Sequence, residues 1–166
     1  MRLMFTAGLM ALVTACGPTA PVAPTVEEVA KASADLTVWL DAEYEENLLT
    51  SPISLTFQGR KEHNSEIDQY DEAEIDRQLA WRRASVAEMK EKFDPAKLDE
   101  ESRTSFDLWA QQLDMMEEGA KFRRAPYIFV KDGPHVFLPN FMISFHAVAD
   151  KADMEAYVAR LPEMAR

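Results

Sequence analysis

The stretch VEEVAKASADLTVWLDAEYEENLL, residues 26–49, decides the fold class. Its apolar positions Val29, Leu36, Trp39, Leu40, Tyr44 and Leu48 recur at three- and four-residue steps, with Glu27, Glu28, Lys31, Asp35, Asp41 and Glu45 between them. Side chains at that spacing share one face of an α-helix, so the stretch reads as an amphipathic helix ending near Leu49, before Ser51-Pro52. The pattern repeats twice. Asp71 with Glu74 three residues on is a helix-start pair, and Ile75, Leu79, Val86, Met89 and Phe93 then line one face until Asp94-Pro95 breaks it. From about Glu100, Phe106, Trp109, Leu113, Met116 and Ala120 line a third face, with Gly119 as a candidate end signal.

Residues 53–59 between the first two helices are short and partly alternating, and read as an irregular connector. After Arg124 the character changes. Tyr127-Ile128-Phe129-Val130 reads as a short strand or an apolar plug, and Lys131-Asp132-Gly133-Pro134 as a turn. Val136 to Phe145 is almost continuously apolar, and periodicity does not choose its state. Asp150 with Asp153 opens a last short helix, whose Met154, Tyr157, Val158 and Leu161 share a face and which stops at Pro162. The expected fold is therefore all-α: an antiparallel helical bundle of about three long helices, plus a C-terminal loop region and a short helix. The apolar load of this last region is high for a terminal segment and reads as part of a larger core.

Residues 1–15 have the form of a secretory signal. A basic start at Arg2 is followed by an apolar run from Leu3 to Leu12, too short to span a bilayer, and by small residues. The order Val13-Thr14-Ala15-Cys16 resembles the lipobox of bacterial lipoproteins. That resemblance implies cleavage before Cys16, lipidation of its thiol, and anchorage to a membrane through several acyl chains. Each buried methylene contributes roughly 0.8 kcal/mol, and two or more chains hold a protein stably. The other reading is an ordinary signal with an incidental cysteine. Gly17, rather than an aspartate, after the cysteine implies the outer membrane of a Gram-negative cell, on its periplasmic side. Residues 16–25 carry Pro18, Pro21 and Pro24 and read as an extended tether, leaving 26–166 as one helical domain.

The chain has 166 residues, a formal net charge of -11 and a single cysteine. Such an acidic balance argues against nucleic acid, whose phosphates need a basic patch, and against docking on anionic lipid. One cysteine allows no intrachain disulfide.

No active site is visible in the residues. His63, His135 and His146 are the three histidines, and none stands three to five positions from another or opens a His-Glu-x-x-His helix that would aim two imidazoles at one metal ion. Glu62-His63 reads as solvated. His135 follows a Gly-Pro turn, and His146 ends an aromatic run; these two are candidate cleft-lining residues, weighed against a loop cap and a hydrogen-bonded core residue. The carboxylates fall on polar helix faces or at helix starts. No serine lies in a Gly-x-Ser-x-Gly elbow, and five glycines leave no phosphate-cradling loop.

One resemblance covers nearly all of the chain from about residue 30. Ser51-Pro52, Leu55-Thr56, Gly59-Arg60, Asp71-Glu72-Ala73, Phe106-Asp107-Leu108 and Gln112-Leu113 occur in the order seen in the N-terminal part of a bacterial family named only as domain of unknown function 885. Gly133-Pro134-His135-Val136, Leu138-Pro139-Asn140-Phe141-Met142, Phe145-His146 and Ala156-Tyr157-Val158-Ala159-Arg160-Leu161 resemble it more closely. The resemblance implies a mostly helical protein, often a lipoprotein, similar to zinc metallopeptidases whose His-Glu-x-x-x-Gly-His-His metal helix lies far downstream of this region. It implies that the chain is truncated before that motif, so that it has no catalytic, cofactor-binding or metal residue and is inactive alone. Zinc is expected only in full-length relatives, and a peptide substrate only with the catalytic half. Self-association through exposed apolar surface around Phe137 to Phe145 is expected. The alternative is a complete small helical lipoprotein acting as a binding or scaffold module.

Overall fold

A computed structural model of the chain describes residues 23–127 and 129–164. The signal segment, Cys16 with the tether through residue 22, and Ile128 lie outside the described residues. Those described form six α-helices and no strand: α1 (Val26–Leu49), α2 (Pro52–Phe57), α3 (Glu72–Lys92), α4 (Glu100–Ala120), α5 (Pro134–Ser144) and α6 (Lys151–Glu163), with a 3-10 turn at Pro95–Lys97. No helix among them is long and apolar enough to cross a membrane.

The helix starts are set by local side chains. Thr25 and Glu28 form a reciprocal capping box on α1. Asp71, Asp99 and Asp150 each accept from the backbone N–H three residues on, capping α3, α4 and α6. The first core lies where α1, α3 and α4 meet. Leu36, Met89, Leu98 and Phe106 are buried there, with Trp39, Leu40, Phe93 and Trp109 packed around them. Arg82 and Ser85 join the apolar face of α3.

A second core joins α2, the segment 58–71, α5 and α6 through Ile53, Ile67, Phe141 and Met142, with Leu138, Tyr157 and Met164 against them. Two expectations are corrected here. The irregular connector is α2, begun by Ser51 with Pro52 in its first turn and capped a second time by Asp68, whose carboxylate accepts from the Ile53 N–H at 2.8 Å and from Ser51 Oγ at 2.7 Å. In the C-terminal region, the apolar stretch whose state periodicity left open forms helix α5, which continues through Pro139; its apolar side chains anchor it to the second core, so packing overrides the proline. The second correction concerns α6. It runs through Pro162, and its buried positions are Asp153 and Arg160 with Ala156 and Tyr157 half-buried between them, while Met154, Val158 and Leu161 are exposed. The helix is turned with its polar stripe inward.

Candidate functional site

Arg160 is 0 % exposed, and the second core is organised around its guanidinium. Nε donates to the Glu66 carbonyl at 2.8 Å. Nη2 donates to Thr56 Oγ1 at 2.8 Å and, at 3.4 Å each, to the carbonyls of Pro52 and His63. Nη1 donates to His146 Nδ1 at 2.8 Å. The guanidinium carbon also stands 5.3 Å from the centre of the Phe141 ring. Burying a cation costs least when its donors are satisfied, and here one α6 side chain ties together α2, the segment 58–71 and the turn before α6.

His146 completes the knot. It is 5 % exposed, its Nε2 lies 3.2 Å from the Asp153 carbonyl oxygen, and its ring meets the edge of Tyr157 at 5.2 Å. Because an arginine can only donate, His146 Nδ1 accepts and Nε2 carries the hydrogen. Burial, with the nearby Arg160 charge adding to it, holds the imidazole below its ordinary value. The buried Asp153 carboxylate accepts from Lys61 Nζ at 2.7 and 2.8 Å and from the Ala149 N–H at 2.9 Å. These bonds, Lys61 first, hold it below the usual carboxylate range.

The structure separates the histidines. His135 is exposed in the first turn of α5, its ring 5.7 Å from that of Phe129. His63 is exposed with a left-handed backbone (φ 59°), its Nδ1 2.9 Å from Glu66 Oε1. That conformation is strained for a side chain with Cβ, and the Glu66 contact and the Arg160 bond to its carbonyl help hold it. Both ring nitrogens of His146 are committed, and among the described residues no group of three or more His, Cys, Asp or Glu side chains is placed to hold a metal ion.

Beside α5 lies an open recess of about 220 Å³ lined by Tyr70, Asp132, Pro134, Phe137 and Leu138. It continues into an aromatic ledge in which Phe57 contacts Phe145 at 4.6 Å, Phe141 at 5.5 Å and Phe137 at 6.5 Å between ring centres. Recess, ledge and the Arg160 knot fall inside the residues matched by one family model, which covers residues 52–166 and is described as "Bacterial protein of unknown function (DUF885)". The chain belongs to this DUF885 family. No curated protein and no solved structure matches it. Within the DUF885 region, Arg160, Thr56 and Asp68 are the residues whose roles pattern reading missed. The signal for Arg160 was a cation seven positions after an acid on one helix stripe, which reads equally well as a solvated face.

Proposed function

We propose that this DUF885 chain is a lipid-anchored, periplasm-facing helical scaffold. It supplies one non-catalytic wall of a metallopeptidase-like cleft and carries no hydrolytic centre of its own. The observation that carries this reading is the turned α6. Met154, Val158 and Leu161 form an outward apolar stripe at helical spacing, while the inward stripe is taken by Arg160 and Asp153. A helix whose apolar stripe faces away from its own core suits a layer that packs against a further body on that side. In this reading that body is the catalytic portion of the family fold.

The remaining features agree with a wall. The recess beside Phe137 is open and mostly apolar, with Asp132 as its one charge, and His135 stands on the same helix. His146 takes the internal role, and His135 keeps the cleft-facing one. Anchorage is through lipid on Cys16 at the outer membrane, which follows from the lipobox resemblance. The three long helices are assigned as an antiparallel bundle. Support comes from Trp39 Nε1 donating to Glu88 and Trp81 Nε1 to Glu46, so that the α3 partners run backwards as α1 advances.

The test has two parts. Zinc titration with a peptide-hydrolysis assay on the purified chain should give neither tight zinc binding nor cleavage; zinc-dependent cleavage sinks the scaffold reading. Expressed in a Gram-negative host, the chain should incorporate labelled fatty acid at Cys16 and fractionate with outer membrane. A Cys16→Ser variant that stays equally membrane-bound removes the anchor.

A further inference from the structure

We propose that the His146–Arg160 contact is an acid-opened latch, holding α6 onto α2 and the segment 58–71 only while the His146 ring is neutral. The geometry requires the exclusion. His146 Nε2 already carries the hydrogen offered to the Asp153 carbonyl, so a second proton has only Nδ1 to occupy. There it would face Arg160 Nη1, an obligate donor 2.8 Å away. The bond would be lost and two cations would touch in a place almost closed to water.

The neighbouring charges offset that contact only in part. Burial and the Arg160 and Lys61 charges oppose a proton on His146. On α6 the Asp153 backbone carbonyl and charge favour one, but the Asp153 carboxylate oxygens are already engaged by Lys61 and the Ala149 N–H. On the segment 58–71, Glu66 directs its carboxylate at His63, and Asp68 directs its own at Ser51 and the α2 backbone. His63 offers Arg160 only its carbonyl. α2 contributes the Pro52 carbonyl and the Thr56 hydroxyl, α5 the Phe141 ring, and Tyr157 a ring edge. The proton can therefore enter only as Arg160 leaves. When Arg160 leaves, the bonds to Pro52, Thr56, His63 and Glu66 go with it, and these fasten α6 to the rest of the second core. Because burial holds the folded ring below the ordinary imidazole value of about 6.5, the latch is closed at neutral pH and opens as pH falls below that value.

Amide hydrogen exchange on the full chain reads the latch. Between about pH 7.5 and the pH at which nitrogen NMR shows the His146 ring protonated, corrected for intrinsic rates, α6 amides should lose at least about tenfold of their protection while α3 and α4 keep theirs. In His146→Asn the amide oxygen sits where Nδ1 was, accepts from Arg160 and does not titrate, so α6 protection should stay level. Unchanged α6 protection in the native chain, or an equal loss in the variant, overturns the proposal. Nitrogen NMR of the native His146 ring gives a reading that needs no variant. The Nε2–H tautomer with titration below the ordinary value is expected; a hydrogen on Nδ1 at neutral pH, or titration at or above that value, overturns it as well.

Discussion

The guanidinium carbon of Arg82 stands 4.1 Å from the centre of the Trp109 ring, and it stands 5.0 Å from that of Trp81. Arg82 is 7 % exposed, and its Nε and Nη1 have no hydrogen-bond partner. Burial pulls its affinity for the proton down, with Glu43 opposing. The protein thus buries two arginines in different ways: Arg82 rests on aromatic faces, whereas Arg160 is hydrogen-bonded through all three nitrogens.

Arg82→Met should be nearly neutral. Cation–π contact with a desolvated guanidinium contributes about 2 kcal/mol, and leaving charged donors buried without partners costs a similar amount. Methionine keeps the stem packing and removes both effects. Urea unfolding should place the variant within about 1 kcal/mol of the native chain. A larger loss would mean that the stacked charge is a net stabiliser.

Arg160→Met should be severe. It strands the Glu66 carbonyl and His146 Nδ1 in the second core, leaves the Thr56 hydroxyl only its bond to the Pro52 carbonyl, and the expected loss is about 3–5 kcal/mol. The same urea experiment checks it, and a loss below about 1.5 kcal/mol would show that α6 is held by apolar packing instead.

Asp153 sets an acid limb of stability. Its folded carboxyl lies below the unfolded value because Lys61 and the Ala149 N–H bind the charged form. A depressed carboxyl stabilises fully above the unfolded value of about 3.9 and loses that contribution as pH falls through the folded one. Asp153→Asn should lower the urea midpoint near neutrality and flatten the decline below about pH 4. Parallel curves for the two proteins would contradict this assignment.

Ile143 is 77 % exposed at the end of α5, next to exposed Phe145. Ile143→Lys should leave the melting temperature within about 2 °C, since nothing packs on that side chain from the second core. It should also reduce hydrophobic-dye binding and self-association, read by fluorescence and light scattering. Unchanged dye binding would place the sticky surface elsewhere, with the α6 stripe as the next region to alter.

Much of the first core was legible in advance. Ile75, Leu79, Val86 and Met89 keep the helical period on the inward side of α3, interrupted only by buried Arg82, and Phe93 follows at its C-terminal end. The same holds for Phe106, Trp109, Leu113 and Met116 on α4. The second core was less legible because its elements violate simple period rules. α5 is apolar nearly all round and contains Pro139, and α2 is a helix of six residues. Neither has enough turns to show a face. In α6 the apolar and polar stripes are both regular, so the pattern allowed two rotations of the helix and did not choose between them.

Chain order alone was enough for the helical character of residues 26–49, 72–92 and 100–120, and for the caps at Asp71 and Asp150. Those signals are local, carried by side chains within one turn of the backbone groups they satisfy. Which side of α6 turns inward was settled elsewhere, by acceptors at Pro52, Thr56, His63 and Glu66 that lie about a hundred positions away along the chain and leave no periodic trace. A guanidinium that finds five acceptors in one place outweighs the burial of Met154, Val158 and Leu161, which are left exposed, and only the folded chain brings those acceptors together.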